Sequence, residues 1–81
     1  IGSALILVSD KISISRLNTV ISDFSYMIIG RQGIPLRGRG ISVISLVFEG
    51  TTDEIGAFTG KIGKLNGIQV KSVVLKPIVG D

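Results

Sequence analysis

Apolar residues along this chain recur with two spacings, and the changes between them predict six elements. Ala4, Leu5, Leu7 and Val8, with Ile6 between, form a run too short for a helix, and Ser9-Asp10 then supplies a stop-and-cap signal. From Ile12 the spacing becomes helical: Ile14, Leu17, Ile21 and Phe24, with Val20 alongside, share one face, and Asp10 or Ser13 is placed to cap it. Ser25 to Arg31 and Ile41 to Glu49 read as the second and third strands, the latter β-branched on both faces. Thr51-Thr52-Asp53-Glu54 has capping-box spacing, with its acids in the first turn where the helix dipole favours them. A second helix follows, with core stripe Ile55, Phe58, Ile62 and Leu65, with Lys61 and Lys64 late in it and with Gly67 as its left-handed stop. Ile68 to Leu75 alternates as the last strand before Pro77.

The order βαββαβ with right-handed crossovers predicts an α+β, ferredoxin-like fold: a four-stranded antiparallel sheet with two helices on one face and strands one and three central. Those two strands are apolar on both faces, and helices can cover only one. The other face is expected to pack on a second subunit, giving a dimer or tetramer, with Leu5, Leu7, Leu46 and Phe48 as candidate interface residues.

The 81 residues are expected to form one domain over 1–81, and a domain of this size buries only roughly 60% of its unfolded surface. With 44% apolar and 19% charged residues and mean hydropathy +0.56, the chain has spare apolar surface for a partner and is not disordered. Its charge-free runs fall far short of the ~18 apolar residues of a membrane span. Opening on Ile1 rather than Met, and without a basic start, it is expected to be cytoplasmic with a trimmed N-terminus. Without cysteine or histidine it lacks thiolate and imidazole ligands and the commonest acid–base group, so neither metal nor cofactor is expected, and no serine has a base to activate it. A non-enzymatic role follows.

Two features carry candidate chemistry. Gly30 to Gly40 reads as a long loop holding Arg31, Arg37 and Arg39. Removing these three leaves six basic and six acidic residues, so the segment holds the whole net charge of +3. Gly38 and its neighbouring glycines would let amides and guanidinium groups converge on a carboxylate, a phosphate or an acidic partner surface; the alternative is a solvated hairpin paired with a neighbouring subunit's acids. On helix two, Gly56, Gly60 and Gly63 form a stripe off the core face, each costing ~1 kcal/mol against alanine, which points to close approach at a subunit contact or crevice. Gly60-Lys61-Ile62 is no phosphate loop, because the glycine spacing is short by one and Ile62 stands where a hydroxyl is needed. RNA recognition on such a sheet needs exposed aromatic residues on the central strands, and only Phe48 is offered.

Gly30-Arg31-Gln32-Gly33-Ile34-Pro35, Arg37, Gly40 to Leu46, and Gly50-Thr51-Thr52-Asp53-Glu54-Ile55-Gly56-Ala57 through Thr59-Gly60-Lys61 resemble the iron-only hydrogenase system regulator family. The resemblance implies an ACT-like fold similar to the C-terminal domain of the nickel-responsive repressor, and a small oligomeric bacterial regulator. The repressor's metal site needs histidines and a cysteine, which this chain lacks, so nickel sensing of that kind is excluded. Amino-acid-binding ACT domains place an acidic residue before Pro-Gly after strand one; here Asp10 holds the acidic position, as a candidate for a ligand's amino group, but Lys11-Ile12-Ser13 follows it. The repressor's ribbon-helix-helix segment is missing, so operator recognition would need another chain.

Overall fold

The structure, a computed structural model, describes residues 1–36, 38 and 40–76. The elements are β1 (Gly2–Val8), α1 (Lys11–Asp23), a single 3₁₀ turn (Ser25–Met27), β2 (Ile28–Leu36), β3 (Ile41–Phe48), α2 (Thr52–Gly63) and β4 (Ile68–Val74). They form the expected α+β ferredoxin-like arrangement, an antiparallel sheet in the order β2-β3-β1-β4.

Both helices start as their capping residues dictate. The Asp10 carboxylate accepts the Ile12 N–H at 2.9 Å, and Thr51 and Glu54 close a reciprocal capping box at 2.8 and 3.1 Å. Leu17 and Ile21 of α1 and Ile55, Phe58 and Ile62 of α2 then press onto Ala4, Ile6 and Val8 of β1 and Ile44, Leu46 and Phe48 of β3. Phe58 is the hub. Its ring meets Phe48 edge-on at 5.5 Å and tilts against Phe24 at 5.0 Å, a geometry that adds to the burial of the rings themselves.

β2 is longer than its first half predicts. It runs through Leu36, paired residue by residue with Ile41 to Leu46, so the stretch read as a long loop is mostly hairpin strand. The apolar alternation of Ile34 and Leu36 continues the strand through its glycines. Only positions 37–40 connect β2 to β3, and Gly38 and Gly40 have φ of +84° and +67°, the left-handed region that turn glycines supply. Ser25 to Met27 turns instead of pairing, and Ile29 is an extra residue, since Ile28 opposes Phe48 while Gly30 opposes Val47.

The β1–α1 junction is fastened to the α2–β4 loop. The Ser9 N–H and hydroxyl both donate to the Gly67 carbonyl, at 2.9 and 3.0 Å, and the buried Ser13 hydroxyl donates to the Asn66 carbonyl. Gly67 sits at φ +70°, and a Cβ there would lie 2.5 Å from Asp10 Cβ. Gly67→Ala therefore meets both backbone strain and a collision; a destabilisation of about 1–3 kcal/mol is expected in denaturant unfolding, and a loss below ~0.5 kcal/mol would contradict this account.

Candidate functional site

Strand pairing decides which apolar residues stay uncovered. In the β1–β3 register Ala4 opposes Leu46 and Ile6 opposes Ile44, while Leu5 opposes Ser45 and Leu7 opposes Val43. The face away from the helices therefore carries Leu5, Leu7, Val43, Val47, Ile34 and Val73, with Leu5 57% and Val73 56% exposed. This corrects part of the sequence reading. Leu46 and Phe48 have no exposed surface and lie under the helices, because antiparallel pairing puts directly opposed residues on one face and both belong with Ala4 and Ile6. The side chains grouped correctly with Leu5 and Leu7 are Val43 and Val47.

β4 contained the deciding signal. Lys71 opposes Leu5, and Gln69 opposes Leu7; turning Leu5 inward would carry Lys71's charge toward the core. Phe48 being buried also removes the one aromatic residue of the central strands, so the open face offers no ring on which a base could stack.

On the helix side, β2 extends beyond the cover of α1 and leaves a groove between them. Its first section, about 250 Å³, is lined by Asp10, Lys11, Ile14, Leu36, Gly38 and Gly40. A second section, about 240 Å³, shares Val8, Ile14, Pro35 and Ser42 with the first and ends at Asn18 and Arg31. Thus Asp10 and Gly38 share one end, while Arg31, on β2 and not in a loop, stands at the other and donates to Asn18 Oδ1 at 3.3 Å. Arg37 and Arg39 lie outside the described residues. Arg31 pairs with Leu46 and Pro35 with Ser42, so the arginine stands four strand steps, about 13 Å, from the stretch that the two sections share, and the Asp10 end lies beyond it. Ile14, Pro35 and Ser42 escaped the sequence reading because a groove between two elements distant in sequence has no local pattern.

The glycine stripe lies on the exposed flank of α2. Among the described residues, Cβ atoms at Gly56 and Gly60 would meet nothing within 4 Å, and one at Gly63 would only touch Val70 Cγ1 at 3.8 Å, so no close packing among those residues requires these glycines. Among the described residues there is no group of three or more Asp, Glu, His or Cys side chains that could hold a metal ion, and no helix long and apolar enough to cross a membrane.

The TM1266-like family, described as iron-only hydrogenase system regulators, matches residues 1–72. The chain belongs to that family. The structure of the uncharacterized protein TM1266 from Thermotoga maritima is similar to this regulator-family chain at 34% identity and TM-score 0.88, over 93% of this chain and 95% of that one. A formyltetrahydrofolate deformylase from Pseudomonas putida KT2440 is similar at 9% identity and TM-score 0.64, over 91% of this chain but 28% of its own, a likeness of fold alone. No curated protein matches the chain.

The two faces separate by mutation. Leu46→Lys buries an unpaired ammonium and is expected to abolish cooperative folding, whereas Leu5→Lys should keep a native circular-dichroism spectrum and a cooperative melt. Equal damage from both would overturn this assignment of faces.

Proposed function

We propose that this regulator-family chain is a non-enzymatic, homo-oligomeric cytoplasmic module that senses a small anionic ligand without a cofactor. The uncovered face carries the reading. Leu5, Leu7, Val43, Val47, Ile34 and Val73 leave this face largely apolar, with Ser3, Ser45, Gln69 and Lys71 set among them, on a chain with a low charged fraction, and a second subunit is its natural cover. Ligand sensing rests on the groove: Arg31 spends one donor on Asn18, leaving others for a carboxylate or phosphate, and the groove's floor is apolar.

A pure assembly module is the second reading, favoured by the same open face if the groove takes no ligand. Light scattering at micromolar concentration is expected to give a dimer or tetramer, and Leu5→Lys to lower the assembled mass at least by half; a wild-type monomer at 8.5 kDa would overturn the oligomer. Thermal-shift titration with carboxylate and phosphate metabolites should raise the melting temperature of the unmodified protein and lose that rise in Arg31→Ala. If the rise never occurs, the assembly reading replaces sensing; if it survives in Arg31→Ala and in the Arg37→Ala, Arg39→Ala double variant, the arginine site is overturned.

A further inference from the structure

The two edges of the sheet are unlike. β2 is blunted by the extra residue Ile29, by Pro35, which has no N–H to offer, and by Arg31 on its helix side. These are devices that keep a sheet edge from pairing. β4 has no bulge and no proline between Ile68 and Val74; its one charged residue there, Lys71, lies on the open sheet face, and Ser72, Val73 and Val74 are exposed. No described strand covers its outer side.

The hydrogen bonds of β4 show which groups that outer side presents. Ile1 and Leu75 exchange two bonds, at 3.1 and 2.7 Å, and the Ser9 N–H donates to the Gly67 carbonyl at 2.9 Å, so the odd-numbered residues of β4 bond to β1. In an antiparallel ladder bonded and non-bonded pairs alternate. The N–H and C=O groups of Val70, Ser72 and Val74 therefore point outward.

We propose that β4 pairs antiparallel with β4 of a second copy of this chain, about a two-fold axis at Ser72, joining two sheets edge to edge. The sequence of β4 is compatible with its own antiparallel copy, and its side chains select the register. Centred on Ser72, the outward groups match completely: Ser72 opposes Ser72 of the second copy and Val70 opposes Val74 in both directions, two bonds for each pair. Lys71 then faces Val73 of the second copy. Centring on Lys71 would set two ammonium groups directly opposite, and centring on Val73 would leave Val70 facing beyond the end of the strand, at Lys76.

Above this junction the flank of α2 that overhangs β4 is the glycine flank, where Gly63 lies nearest Val70. Joining two strands 4.7–4.9 Å apart draws the helices above them together, and Gly56 and Gly60 leave open space on that flank of α2. The edge contact runs through the outward backbone groups of Val70, Ser72 and Val74, which lie on the helix side of β4, and shares only Val73 with the sheet-face contact.

The chain has no cysteine, so one introduced thiol can form only an intermolecular disulfide. Under mild oxidation Ser72→Cys is expected to become mainly covalent dimer, because self-opposed residues stand ~5.5 Å apart at Cα. Val74→Cys, similarly exposed, should not, since its two copies lie four residues apart along the strands, ~13 Å. Ser72→Pro removes only an outward N–H and should weaken edge association at least about tenfold in sedimentation analysis, with Leu5→Lys as background so that sheet-face contacts do not mask the loss. No cross-link at position 72, equal cross-linking at 72 and 74, or an unchanged constant in Ser72→Pro would overturn the pairing, as would capture of β4 by a strand of another protein instead.

Discussion

The antiparallel pairing of β1 with β3 is the constraint on which the rest of the molecule depends. Both strands are apolar on both faces, so hydrophobicity alone would accept either side of the sheet as the core. Register removes that freedom. Once Ala4 stands opposite Leu46 and Ile6 opposite Ile44, one set of side chains goes beneath the helices, and a slip by one residue would expose all of it. Lys71 and Gln69 on β4 hold the choice in place, because their polar groups stay in water only when Leu5 and Leu7 face the same way.

From that choice follow the two surfaces that bear on function. Helices α1 and α2 rest on one side, joined through Phe24, Phe58 and Phe48, and the opposite side remains apolar. β2 lies at the edge beyond α1, and the gap between them becomes the groove that runs from Asp10 to Arg31. The carboxylate of Asp10 serves the fold in the same place, since it caps α1 while its neighbours Ser9 and Ser13 bind the loop at Asn66 and Gly67. A ligand entering that end of the groove would act on the junction that ties both helices together, a direct route from binding to the packing of the domain.

Much of this was legible in the sequence, and the reasons are local. Helical spacing of Ile14, Leu17, Ile21 and Phe24 and the capping box at Thr51 and Glu54 act over a few residues, so neighbours along the chain suffice to read them, whereas Gly67 is left-handed as expected but turns the chain into β4, α2 having already ended at Gly63 with Lys64 as its C-cap. The β2 extension was hidden because glycines and arginines in Gly30 to Gly40 look like a loop, whereas pairing with β3 holds that backbone extended despite weak propensity.

By itself the sequence determined the element order, the ferredoxin-like class, the caps, the core stripes of both helices and the surplus of apolar strand surface. Only the tertiary structure decided that Leu46 and Phe48 are core while Leu5 and Leu7 stay open, that Arg31 belongs to a strand beside Asn18, and that Asp10 and Gly38 share one groove. The physical reason is range. Caps and helical stripes are set by contacts within a turn or two, but a strand's face is set by its partner, and β1 meets its partners some 40 and 70 residues further along the chain.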